Sequence, residues 1–383
     1  MAWLRRHSVK LALSVAVAAA FGWLLHAGAF SLIPSGEALK RVQWSHFGAY
    51  LLLFSGVHWL RAVRWRWLLA PLYPVALSKL LTASFIGFAA IVLLPMRAGE
   101  LVRPVLIRKK GHISGWAAAG TIAAERIVDG LLLSCLLALG LLLSTPLDPL
   151  PDHIGQLPIS ARVVPAAAYA ALLLFAVAFA AMALFYFHKA WAERTTRRII
   201  GLISPRLAAW FAAKVEKLVE GLSFLPRRRL SLGFLGETLA YWLLNATATW
   251  VLARGSGFTS FSFAEALVLM GVLGLGILVP NAPGFFGQFQ FSIYAGFAIY
   301  YPEHVIHGAG AAFVFLTYVG QMAITGIAAA AAALVEHLGL PEILDSDAEA
   351  LETPESDAPH PAPAEAHLAR GLTRVSSNRT SGT

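Results

Sequence analysis

The chain has 383 residues, of which 58% are hydrophobic and only 13% charged. A soluble domain carries about 25% charged residues, so this composition excludes a large soluble enzyme and points to a protein embedded in lipid. The net charge of +9 is uneven: residues 337–383 hold eight acidic residues against three arginines, a balance of −5, which leaves +14 on the body.

The apolar residues fall in runs near the roughly 20 residues needed to cross a bilayer. An all-α polytopic membrane protein is therefore expected, with about six spanning helices and two broken or re-entrant segments. In chain order, Arg5, Arg6 and Lys10 precede an apolar stretch that runs to about Phe30. That stretch exceeds the core of about 7–15 residues in a signal peptide, so it reads as an uncleaved first span. Further spans are expected at about 45–60, 122–144, 164–187, 232–253 and 308–335. Two more apolar segments, about 77–94 and 262–280, each run into a Pro-x-x-x-Gly break, Pro95 to Gly99 and Pro280 to Gly284. A helix interrupted at membrane depth is tolerated only where its freed backbone is buried in protein or lines a wet cavity.

Loop charges set the orientation. The loop 61–79 carries Arg61, Arg64, Arg66 and Lys79, and the loop 95–112 carries Arg97, Arg103, Arg108, Lys109 and Lys110, so both read as cytoplasmic. The loop 145–161 has Asp148 and Asp152 with no Lys or Arg and reads as external. The basic stretch 188–229 reads as internal, and within it Leu207, Trp210, Phe211, Val215, Leu218 and Leu222 recur at helical spacing, as in an amphipathic interfacial helix. The expected plan is two inverted units, each with two spans, a broken dip and a third span, a recurrent transporter arrangement. The body, 1–336, is read as one membrane domain. Residues 337–383 are read as a disordered acidic, Pro/Ala-rich cytoplasmic tail.

Three clusters are candidates for chemistry. Arg97, Gly99, Glu100 and Arg103 follow the first break, where a restarting helix offers free amides to an anion and arginines grip phosphate in bidentate fashion. Glu125, Arg126 and Asp129 interrupt an apolar helix. Charges at that depth cost about 2.5–3.5 kcal/mol each unless they face the protein interior, so partners such as Arg97 or Arg103 are expected. Asn281, Pro283, Gly284, Gly287, Gln288 and Gln290 surround the second break and offer a tight turn with uncharged polar contacts. The single cysteine, Cys135, lies in an apolar run and reads as a small buried hydrophobe. Glu303, His304 and His307 lack a further ligand and read as solvated rather than metal-binding. No nucleophile–base arrangement and no Gly-Lys-Ser/Thr phosphate loop is visible, so neither a cofactor nor a nucleic-acid partner is expected.

The run LLPMRAGELVRPVLI at 93–107, then AAERIVDGLLL at 123–133, then VPNAPGFFGQFQ at 279–290, resembles the membrane domain of lysylphosphatidylglycerol synthases, a flippase-like family. The resemblance spans about residues 10–335 and departs from the family in having Gln288-Phe289-Gln290 where an acidic residue is often found. It implies a bacterial inner-membrane lipid flippase or transporter, both termini cytoplasmic, binding an anionic or aminoacylated phospholipid. Arg97 and Arg103 would contact phosphate, with Glu100, Glu125, Arg126 and Asp129 along the polar path. Full-length synthases also carry a soluble aminoacyl-transferase domain. The expectation here is a stand-alone membrane domain to which that reaction does not carry over. The competing readings are a membrane-embedded transferase using Glu100, Glu125 or Asp129 as base, and a non-catalytic partner of lipid-synthesis enzymes.

Overall fold

Every long apolar run is helical, because a backbone without water must satisfy its own donors and acceptors. The computed structural model describes residues 8–94, 99–110, 113–188, 194, 217–278 and 282–336. Pro95, Arg97, Pro280, Asn281, most of the basic amphipathic segment and the tail 337–383 lie outside the described residues.

Among the described residues, ten helices of nine or more residues carry the fold: α1 (Ser8–Ala27), α2 (Trp44–Val63), α3 (Leu77–Leu93), α4 (Val102–Lys110), α5 (Gly115–Leu143), α6 (Val163–Phe187), α7 (Arg228–Gly255), α8 (Phe263–Gly276), α9 (Gln288–Ala298) and α10 (Ala311–Glu336). The described residues contain no strand, only an isolated bridge between Ile154 and Leu157. Among the described residues three helices are long and apolar enough to cross a membrane: α5, α6 and the run Glu303–Glu336, which continues through a π-turn at Ile306–Gly310 into α10. α1, α3 and α8 are apolar but shorter over their qualifying stretches. α2 and α7 have the length, but Arg61 in one and Arg228, Arg229, Glu237 and Arg254 in the other dilute their hydropathy.

Both breaks reverse the chain. In the first, a Cβ added to Gly99 would fall 2.1 Å from the carbonyl carbon of Ala90, and one added to Gly87 would fall 2.2 Å from Cγ of Arg103. The chain after the break therefore folds back antiparallel on α3, and the two glycines permit the close approach. In the second, a Cβ on Gly296 would meet Leu269 at 2.7 Å, so α9 returns along α8 in the same way. α4 and α9, at 9 and 11 residues, are about 13 and 16 Å long at 1.5 Å per residue. Neither reaches across a hydrocarbon core of about 30 Å.

The helices pair in a regular way. α2 packs along α7, α3 packs against α10, and α8 packs against α5. α3 also touches the turn Pro283–Phe285, so the two hairpins meet at their tips. Two apolar clusters result. One gathers Leu133, Leu137, Tyr241, Phe289 and Phe313, and the other gathers Trp65, Ala90, Val102, Ala124 and Phe234. They meet on α5 between Val128 and Leu133.

Two sequence expectations change here. Cys135 is exposed on α5 rather than buried, because it falls on the face of the helix away from its neighbours. The described end of the amphipathic segment, from Lys217, is docked on protein as well as bearing charge. Gly120 of α5 lies so close to it that an added Cβ would sit 2.1 Å from the Leu218 carbonyl oxygen, and one on Gly221 would sit 2.5 Å from the Ala117 carbonyl oxygen.

This contact yields a stability test. Gly120→Ala forces backbone against backbone and is expected to lower stability by about 1–3 kcal/mol. Gly236→Ala, in α7 with nothing near its Cβ position, is expected to be neutral or to stabilise by about 0.5–1 kcal/mol. Thermal unfolding of the detergent-solubilised variants separates the two.

Candidate functional site

The charged turn of α5 sits where the two apolar clusters meet, and its burial requires internal partners. Arg64 supplies them. It occupies the turn between α2 and the short helix Trp65–Leu69, and its side chain is fully buried. Its Nη2 donates to Asp129 Oδ2 at 2.7 Å and to Glu125 Oε1 at 3.1 Å. Nη1 donates to Asp129 Oδ1 and, at 3.1 Å, to the Thr238 hydroxyl of α7. The i,i+4 spacing of Glu125 and Asp129 puts both carboxylates within reach of one planar fork. The guanidinium also stacks 4.7 Å from the Tyr241 ring centroid.

Arg103 holds the other side of Glu125. Its Nη1 donates to both carboxylate oxygens, at 3.2 and 3.1 Å, and its guanidinium lies 4.3 Å from the Trp65 ring centroid. Arg126 Nη2 reaches Glu125 Oε1 at 3.4 Å. One carboxylate is thus shared by three arginines, drawn from the end of α2, α4 and α5.

Beside this network is a cavity of about 130 Å³. α2 contributes Phe54, His58 and Arg61, α5 contributes Arg126, Asp129 and Leu133, and α7 contributes Tyr241 and Trp242. Phe88, Ile91 and Val92 come from the tip of the first hairpin; Ile277, Leu278, Phe285 and Phe289 come from the tip of the second. α10 closes the wall with Gln321, Met322 and Thr325. Described residues flanking both breaks therefore line one cavity with charged groups on its wall.

The residues singled out in the sequence divide by position. Arg126 and Asp129 line the cavity. Glu125 and Arg103 are fully buried and brace it without forming its wall. Arg103, expected to contact a phosphate and to partner the α5 carboxylates, pairs with Glu125 through Nη1, while its Nε and Nη2 have no hydrogen-bond partner among the described residues. Glu100 acts electrostatically on Arg126. Gly99 serves the close approach to α3. Pro283 starts a short turn in which Gly284 and Gly287 take φ of 73° and 81°, a conformation that favours glycine. Gln288 and Gln290 are buried and mend the break. The Gln288 amide donates to the Gly276 carbonyl at the end of α8, and Gln290 Oε1 accepts from Gly287 N at 2.8 Å. Both were expected to offer contacts to a lipid; these bonds engage the Gln288 amide nitrogen and the Gln290 amide oxygen at helix ends. Arg97 and Asn281 lie outside the described residues.

Sequence reasoning missed Arg61 and Arg64, taking both for cytoplasmic loop charges, and did not single out His58, Tyr241 or Trp242. A signal was present for the arginines. Two carboxylates buried in an apolar helix demand cations, and His58, Arg61 and Arg64 recur every third residue along one helical strip. No group of His, Cys, Asp or Glu suited to a metal is found among the described residues, and His153 Nε2 lies 3.8 Å from Glu303.

Removing Arg64 leaves two buried carboxylates short of a partner, a loss of about 3–5 kcal/mol. Arg64→Met is expected to unfold at markedly lower temperature in detergent. Arg64→Met combined with Asp129→Asn is expected to recover part of the loss, because one of the stranded charges is gone. Equal melting of the single and double variants would show that the clamp is not the support.

No curated protein and no solved structure matches the chain. A family model does, the lysylphosphatidylglycerol synthase TM region, over residues 11–325. With that match covering most of its length, the chain belongs to the lysylphosphatidylglycerol synthase transmembrane-region family.

Proposed function

We propose that this protein is a lipid transporter of the bacterial inner membrane, whose cavity receives the phosphate of an anionic phospholipid. The observation that carries this reading is the unbalanced polar lining of the cavity. Arg61 makes no hydrogen bond or ion pair to a carboxylate among the described residues and rests over the Phe88 ring at 4.1 Å. Trp242 has a buried Nε1–H with no partner among them. An indole N–H only donates, so the group it suits is an acceptor. The one carboxylate on the wall among the described residues, Asp129, is already held through both oxygens by Arg64. A guanidinium and a lone donor beside an aromatic wall suit a phosphate oxygen joined to a greasy body. Arg61 and Arg126 take the role that the sequence alone assigned to Arg97 and Arg103.

The membrane plan that accompanies this reading has six spans, α1, α2, α5, α6, α7 and α10, with both termini cytoplasmic. The two hairpins dip from opposite sides in an inverted repeat. The pairing of helices supports it. In such a repeat α2 corresponds to α7, α3 to α8 and α5 to α10, and the contacts of α2 with α7, α3 with α10 and α8 with α5 map onto one another under that exchange. Discontinuous helices meeting at a midplane site are the transporter form of this geometry.

Arg61→Gln keeps a polar side chain but shortens it and removes its charge. It is expected to weaken binding of an anionic phospholipid by on the order of 1.5–3 kcal/mol, roughly tenfold to a hundredfold. Binding of a zwitterionic lipid should change little. Native mass spectrometry of the protein with mixed lipids gives the affinities. Movement of labelled anionic lipid between leaflets of proteoliposomes should fall in parallel. Wild-type protein that neither retains nor moves anionic lipid in preference to zwitterionic lipid would overturn the reading.

A further inference from the structure

We propose that His58 is a proton-binding site coupled to occupation of the cavity, so that the anionic ligand and one proton bind together. The inference rests on the reading of the cavity as an anion site and names the ion that accompanies its ligand. His58 lines the cavity one helical turn before Arg61, and it is only 5% exposed. Its Nε2 is buried and has no hydrogen-bond partner among the described residues. The ring is fixed by aromatic packing: stacked on Phe85 at 5.9 Å, edge-on to Phe88 at 5.3 Å and tilted to Phe54 at 5.8 Å. An imidazole wedged in this way cannot swing to solvent to change its protonation partner.

The charges around the ring decide the coupling. On its own helix His58 faces Arg61, whose guanidinium disfavours a second positive charge nearby. α5 presents Arg126 and Asp129 to the cavity, and the latter is bound by Arg64. α7 presents Tyr241. α3, α9 and α10 bring apolar, aromatic or neutral polar side chains to the wall, and the end of α8 brings Gly274, Ile277 and Leu278. With only these neighbours, a protonated His58 has no anion of its own. A phosphate oxygen on Arg61 changes that, because it offers the imidazolium both a counter-charge and a hydrogen-bond acceptor. A ligand that stabilises the protonated ring must bind more tightly when the ring is protonated, by thermodynamic reciprocity. The phosphate of a phosphodiester lipid stays ionised across the range in which a histidine titrates, so the proton taken up resides on the protein. No bond is made or broken. One proton moves from solvent to His58 as one lipid anion enters.

The experiment uses the full chain in detergent and dihexanoyl phosphatidylglycerol as probe. Titration calorimetry between pH 5 and 8, in buffers of different ionisation enthalpy, gives both affinity and protons exchanged. The expected result is uptake of up to one proton per lipid bound. Affinity should rise as pH falls, with a slope of at most tenfold per pH unit. His58→Gln and His58→Phe, the latter suited to the aromatic packing, should bind with an affinity independent of pH and take up no proton. Lipid binding by the wild type without proton uptake overturns the coupling and leaves the anion site standing. Equal uptake by wild type and both variants does the same. Absence of binding by the wild type at every pH overturns the site and the coupling together.

Discussion

The buried fork of Arg64 is the contact on which the rest of the site depends. Two carboxylates four residues apart on α5 have no place in an apolar interior unless a cation meets both. Arg64 meets both, and its further bond to Thr238 ties α7 into the same arrangement. Because Glu125 is also held by Arg103 from α4, the clamp fixes the first hairpin against α5. A lysine in place of Arg64 would offer one point charge where two oriented pairs of donors are used.

The backbone breaks take their form from the same constraint. A chain that stops being helical inside lipid frees donors and acceptors that must be paired. In the second hairpin the pairing is done by side chains of the turn itself: Gln288 takes the last carbonyl of α8 and Gln290 takes the amide of Gly287. Tyr318 of α10 donates to the Gly284 carbonyl at 3.0 Å, so the neighbouring helix takes part as well. The second tip presents mainly Phe285, Phe289, Ile277 and Leu278 to the cavity. The charged wall comes from α2 and α5, and α10 adds the neutral polar Gln321 and Thr325, which gives the cavity an apolar side and a cationic side.

Much of this was legible in the sequence, and the parts that were not share a physical cause. Helix positions follow from run length, and both breaks follow from Pro and Gly in otherwise apolar segments. Glu125 and Asp129 stood out because they interrupt such a segment. Arg61 and Arg64 did not, because an arginine at the end of an apolar run has two placements with the same local pattern: outward to water, or inward to a carboxylate distant in sequence. Only the partner decides, and Asp129 lies 65 residues from Arg64. Gln288 and Gln290 show a second role that the sequence pattern also allows. Their polarity was read as available to a ligand, whereas a Gly-x-x-Gln pattern just after a break is also the means of capping the helix that follows. His58 and Trp242 were invisible, since a lone His or Trp in an apolar helix acquires meaning only when a cavity is found beside it.

The balance of charge around α5 gives the last step. Arg61, Arg64, Arg103 and Arg126 cluster there against Glu125 and Asp129, and Glu100 acts on Arg126 from the edge. Counting those residues leaves one positive charge in excess with Glu100 and two without it. The excess is not spread evenly. Arg64 and Arg103 are fully buried and each is ion-paired to Glu125, although Nε and Nη2 of Arg103 have no hydrogen-bond partner among the described residues. Arg126 is partly exposed and shares a carboxylate, and Arg61 shares none among the described residues. A site built only for stability would have its surplus nowhere, because an uncompensated cation in a low-dielectric interior is costly. The surplus lies on the cavity wall, beside aromatic faces that hold a guanidinium without neutralising it, and this is the charge on which the proposed anion site depends.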